Sequence, residues 1–222
     1  MITATTTNMT TDPILTLTQW LSPAYPVGAF SYSHGLETMV EQGAVTDVAS
    51  FRDWLGDIIE HGAGHSDAIL LTAAYNANNN DELAEIDALA RALAPSRERL
   101  LETDQQGGAF ARTTADILDL PLFSLTYPVA VGRAARLQDL PLAETARLFL
   151  HAFAANLTSA AIRLVPLGQT EGQLALHQLT PLCQSMADKA ITETIDAIGS
   201  SAFAADIASM NHETQYSRLF RS

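Results

Sequence analysis

Helix-favouring runs fill most of this chain, and the alternation that marks a β-strand is nearly absent. Alanine, the strongest helix former, fills about one position in six. The expectation is an all-α fold, a single compact bundle of about ten helices with no sheet. Asp12 and Pro13 read as the N-cap and first position of an opening helix. Ser22 to Gly28, with two prolines and a glycine, breaks it. A short helix is expected over 33–42, closed by Gly43. Asp47 caps the next, which carries Phe51, Trp54, Leu55, Ile58 and Ile59, and Gly62 and Gly64 weaken its end. Ser66-Asp67 starts another. Asn80 or Asp81 caps an amphipathic helix to Leu93, and Ser96 starts a longer one, bent or interrupted at Gly107-Gly108 and running to Leu118. Residues 128–138 read as a close-packed helix, because Ala130, Gly132, Ala134 and Ala135 let a neighbour approach. A long helix is expected over 142–163, then one from Thr170 towards Ile198 that Pro181 starts anew or kinks, then a short one over 202–209. The organisation expected is a flexible tail over 1–11, a helical domain over 12–210 and a partner-binding segment over 211–222.

Composition excludes several functions. Lys and Arg number 12 against 25 Asp and Glu, a net charge of −13, and 17% of residues are charged against 47% hydrophobic. Intrinsic disorder does not fit that balance, and a net anion makes a poor nucleic-acid binder. A chain of 222 residues buries about 70% of its surface on folding, so its core needs no staple. Cys183 is the single cysteine, so there is no disulfide framework, and it reads as a buried core residue. No Lys or Arg precedes Arg52, so no signal peptide is expected. Pro23 and Pro26 interrupt the longest uncharged stretch, so no membrane span is expected either. The chain reads as soluble and cytoplasmic, with more apolar surface than its charge covers, which suits a protein partner.

Chemistry of its own finds little footing. Lys189 is the only lysine and has no glycine-rich loop before it, so a phosphate-binding P-loop is impossible. His61 and His65 stand four apart, the spacing that chelates a metal on a continuous helix. Gly62 and Gly64 weaken such a helix, and the glutamate of a His-Glu-x-x-His hydrolase is missing. The pair reads as structural, with a metal-dependent hydrolase on His61 and His65 as one alternative and a generic helical scaffold as another. No catalytic residue, metal site or cofactor is expected.

Two segments stand out. Ser22-Pro23-Ala24-Tyr25-Pro26-Val27-Gly28-Ala29-Phe30-Ser31-Tyr32-Ser33-His34-Gly35-Leu36-Glu37 packs aromatics into a proline-stiffened loop that loses little entropy on docking. Its aromatics suit either recognition or the core beneath. His212-Glu213-Thr214-Gln215-Tyr216-Ser217-Arg218-Leu219-Phe220-Arg221-Ser222 is locally basic and aromatic where a terminus is ordinarily polar and frayed. Such residues order against the body of the protein or against a partner.

The first segment resembles the N-terminal signature of the urease accessory protein family UreF, and the second resembles that family's C-terminus. Tyr127-Pro128-Val129 and the run from Val165 to Gln173 match family segments in the same order. The resemblance spans about residues 14–222, with 76–120 alike only in helical character. Glu171 stands where the family often has Asp. This resemblance implies an all-α, non-enzymatic protein that joins UreD (also called UreH) and the GTPase UreG, often as a homodimer. Together these deliver nickel to apo-urease, with the UreF protein coupling or gating GTP hydrolysis. It also implies partner-binding roles: Phe30, Tyr32, His34 and Glu37 in an N-terminal recognition region, and Tyr216, Arg218, Leu219, Phe220 and Arg221 in a C-terminal element that becomes ordered on meeting UreD. Arg163, with Gln169, Glu171 and Gln173 in the turn after it, would face UreG or the dimer mate. Arg163 reads equally as a cation complementing its helix dipole.

Overall fold

The computed structural model describes residues 12–222; the tail expected over 1–11 lies outside them. The described residues form ten α-helices and no strand: α1 (Pro13–Trp20), α2 (Leu36–Glu41), α3 (Val48–His61), α4 (Ala63–Asn76), α5 (Asn80–Ala92), α6 (Arg97–Leu118), α7 (Tyr127–Leu137), α8 (Leu142–Leu164), α9 (Gln169–Thr192) and α10 (Phe203–His212). Side-chain caps set several starts. Asp12 accepts from the Ile14 N–H at 2.9 Å, Asp47 and Ser50 form a reciprocal capping box, and Ser96 accepts from the Arg99 N–H at 3.1 Å. Asn79, one residue before the expected cap, accepts from the Glu82 N–H at 2.9 Å.

α4 is the central helix. Its residues Gly64, His65, Ala68 to Thr72 and Ala74 are all buried, so it is enclosed nearly all round and packs against α3, α5, α7, α8 and α9. α8 and α9, joined by the four residues 165–168, pair along their length. α7 lies against α4 and α6 through Val129, Ala130, Val131, Gly132, Ala134 and Ala135, all fully buried. Gly132 permits the approach: a Cβ there would stand 2.2 Å from the Leu71 carbonyl oxygen.

Local signals misplace four features. α6 runs unbroken through Gly107-Gly108, because Gly107 is needed for close approach rather than for a bend; its Cβ would fall 2.0 Å from the Leu125 oxygen. α4 begins at Ala63, since Gly62 alone breaks the chain after α3. α9 starts at Gln169 and carries Pro181 within it on an exposed position, ending well before Ile198. α2 begins only at Leu36, because His34 and Gly35 are both left-handed, with φ of 55° and 79°. Gly35 meets both demands of its place, since a Cβ would also lie 2.8 Å from the Ser209 nitrogen of α10. No helix among the described residues is long and apolar enough to cross a membrane.

Candidate functional site

The two unusual segments, at opposite ends of the chain, fold into one joint. Glu37, in the first turn of α2, takes the Leu219 N–H on one oxygen at 2.7 Å and the Phe220 N–H on the other at 2.8 Å. The Ser33 N–H donates to the Ser222 carbonyl at 2.9 Å, and the Arg221 N–H donates to the Ser31 carbonyl at 2.8 Å. Thr38 donates to Gln215 at 2.9 Å. The C-terminal backbone is thus held by the N-terminal motif, with charge-assisted bonds at its centre.

α6 supplies the other half of the grip. Glu98 pairs with Arg218 at 2.7 Å and lies 2.6 Å from His212 Nδ1. One turn on, buried Glu102 accepts from the Ser222 hydroxyl at 2.9 Å and from Gln106 at 3.0 Å, and pairs with Arg99. His34 Nε2 lies 2.9 Å from Glu102 and 2.8 Å from an Arg99 nitrogen. A single ring nitrogen serves only one of these two at a time. Burial opposes charge on Glu102, but Arg99 and His34 outweigh it and hold the carboxyl at about 2. Burial and then Arg99 push His34 below its ordinary value, so its ring is neutral.

The joint hides some of the expected partner residues and displays others. Tyr32, His34 and Glu37 are buried, and Tyr32 donates to Gln105 at 2.7 Å. Phe30 is 67% exposed, Leu219 57% and Tyr216 fully, while Phe220 turns inward at 4%. Arg221 is exposed and reaches Gln105 at 3.4 Å. Arg163, exposed at the end of α8, lies over the Phe220 ring at 4.5 Å and donates to the Phe30 carbonyl at 3.3 Å. It therefore belongs to the same joint. Gln169, Glu171 and Gln173 are exposed within the first five residues of α9, not in a turn before it, and Glu171 caps that helix by accepting the Gly168 N–H at 2.8 Å.

Beside the joint, a groove of about 450 Å³ opens between α1, the N-terminal motif and α8; Leu21, Phe30, Leu148 and Phe153 line it, and His34 and Glu102 form part of its floor. The hydrolase alternative has no geometry behind it. Gly62 leaves the helical path between His61 and His65, so they do not share one helix face; His61 is exposed and His65 bonds Glu193 at 2.6 Å. Among the described residues no three His, Cys, Asp or Glu are placed to hold a metal. Cys183 is buried, and burial raises its thiol to about 11, far from a reactive thiolate. Asp67, half-buried at a small cavity, is raised to about 7 by loss of water, with Arg99 lowering and Glu102 raising it.

The UreF family model matches residues 45–180. The chain is 57% identical over 214 residues to a urease accessory protein UreF of Ruegeria sp. (strain TM1040), covering 96% of this chain and 100% of the relative. The chain belongs to the UreF family. It is 53% identical to the urease accessory protein UreF of Ruegeria pomeroyi over 96% of this chain and 98% of that one. Against the UreF of Roseobacter denitrificans the identity is 54%, with 96% of each chain covered. The family model leaves both terminal segments outside its span, whereas these near-full-length relatives extend into them.

Sequence reasoning missed the carboxylates and cations of α6. Glu98, Arg99 and Glu102 sit in the stretch that resembles UreF proteins only in being helical. The available signal was the i, i+3 pair Arg99–Glu102 on an otherwise inward face. In this UreF-family chain Arg163→Ala is expected to lower stability by about 0.5–1 kcal/mol through loss of the stack on Phe220. A shift in denaturant midpoint reads this; an unchanged midpoint would show that the stack adds nothing to the isolated chain.

Proposed function

We propose that this chain is a non-enzymatic accessory protein of urease maturation, acting in the cytoplasm in insertion of the nickel centre. In this reading it bridges UreD (UreH) and the GTPase UreG, as a homodimer, and couples or gates GTP hydrolysis in the delivery of nickel to apo-urease. Nickel is cargo here, not a resident cofactor. Membership of the family supports the accessory role. The observation that carries the docking part is the joint: Glu37 fixes the backbone of Leu219 and Phe220, and Glu98 and Glu102 hold the side chains of Arg218 and Ser222, while Phe30, Tyr216 and Leu219 face solvent. Rigid aromatic and apolar side chains on an immobilised backbone lose little entropy on binding. We assign this surface to UreD, and the exposed start of α9, with Gln169, Glu171 and Gln173, to UreG or the dimer mate.

Deleting residues 216–222 should abolish co-purification with UreD and leave urease nickel-poor. The deletion also cuts internal bonds, so Tyr216→Ala and Leu219→Ala are the sharper variants. Each should weaken the UreD complex by about 1–2 kcal/mol with an unchanged melting temperature. Full urease activation by the truncated chain would overturn the reading.

A further inference from the structure

We propose that His212 is a proton-operated latch for the C-terminal segment: the doubly protonated ring holds 213–222 against the body, and loss of one ring proton releases it. His212 is the last residue of α10 and is fully buried. Both of its nitrogens face carboxylate oxygens, Nδ1 at 2.6 Å from Glu98 of α6 and Nε2 at 3.4 Å from Glu37 of α2. A neutral imidazole has one N–H and one bare lone pair. Either neutral tautomer therefore points a lone pair at a carboxylate. Only the imidazolium donates to both.

Further charged groups border the two carboxylates. Besides Glu37 and Glu98, the charged groups close by are Arg218, which shares Glu98 from the segment side at 2.7 Å, and the Arg97–Glu213 pair at 2.7 Å. The ring, Glu37, Glu98 and Arg218 form an alternating chain of two cations and two anions. Removing the ring proton leaves two carboxylates with one cation in a buried space.

The longer contact is where the effect falls. Nδ1, at 2.6 Å from Glu98, keeps its proton, so Nε2 becomes bare and faces Glu37. Glu37 Oε2, the oxygen at that contact, is the one that accepts the Phe220 N–H, and Oε1 accepts the Leu219 N–H. Repulsion from Nε2 therefore acts on the group that grips the segment. The surface displayed by 216–219 is then present in acid and lost in alkali.

The test uses the full chain without partners. Amide-exchange protection of 213–222, corrected for intrinsic rates, is measured from about pH 5 to about pH 9, with nitrogen NMR of the His212 ring followed over the same range. Protection should fall ~10-fold or more in step with loss of the second ring proton, while α4 and α8 keep theirs. His212→Gln, which cannot become a cation, should be open throughout and lack this pH dependence. If that variant does not fold, the paired measurements on the unaltered chain still decide. Segment protection that persists once the ring carries a single proton overturns the latch. So does a His212→Gln variant that opens with the pH profile of the parent.

Discussion

Gly132→Ala is expected to destabilise the chain by about 3 kcal/mol, and Gly107→Ala by at least as much. Alanine is the better helix former by about 1 kcal/mol, so propensity predicts a gain at both sites. Packing reverses the sign. The new methyl at 132 would lie 2.2 Å from the Leu71 oxygen and at 107 it would lie 2.0 Å from the Leu125 oxygen. Both obstacles are backbone, so α7 must move off α4, or α6 off the segment 125–127 that leads into α7. In close-packed interiors such a displacement strips contacts along the whole interface. Gly56→Ala supplies the opposite sign. Its Cβ would first meet Leu179 at 3.7 Å, an ordinary contact, so propensity should win and stability rise by up to ~1 kcal/mol. Denaturant midpoints at constant slope measure all three. A neutral Gly132→Ala would mean that α4 and α7 are less tightly seated than described.

The helical framework was open to sequence reasoning where local chemistry decides it. Asp12, Asp47 and Ser96 are caps whose side chains act on residues two or three positions away, and small residues at 130, 132, 134 and 135 mark the face a neighbour must approach. Gly107 shows the limit. A glycine pair inside a helix reads as a weak point, and nothing local reveals that the chain returns at Leu125 to touch it. The terminal segments show the same limit on a larger scale. Their residue types pointed to ordered contacts, but the partner of Leu219 and Phe220 is Glu37, more than 180 positions away in sequence. Nor could a helix-like middle stretch disclose that Glu98 and Glu102 complete the grip. The resemblance places Tyr32, His34 and Glu37 in a recognition region; in the folded chain their side chains are buried in the joint that sets out Phe30, Tyr216 and Leu219.

Glu102→Ala should be the costliest side-chain change in the joint, at about 3–5 kcal/mol. The carboxylate is almost wholly buried and answers Arg99, His34, Gln106 and Ser222 together. Its loss leaves the buried Arg99 guanidinium without its ion-pair partner and the Ser222 hydroxyl without an acceptor. The penalty is mostly that stranded cation rather than the worth of the pair itself. Glu102→Gln combined with Arg99→Met should therefore be less damaging than Glu102→Ala, although it changes more atoms. Acid provides an independent reading. Glu102 falls from an ordinary 4.5 to about 2 in the folded chain, a depressed carboxyl. Its contribution, about 3 kcal/mol, is then complete above about pH 5 and lost as pH falls through about 2. His34 is also lowered, from 6.5, so the unfolded chain takes up that proton first and stability starts to fall below about pH 6.5. The parent should weaken in both steps, whereas Glu102→Ala should lack the lower one. Denaturant midpoints between about pH 7 and about pH 3 separate the two. An identical acid slope in parent and Glu102→Ala would show that Glu102 is not the carboxylate that holds the two ends of the chain together.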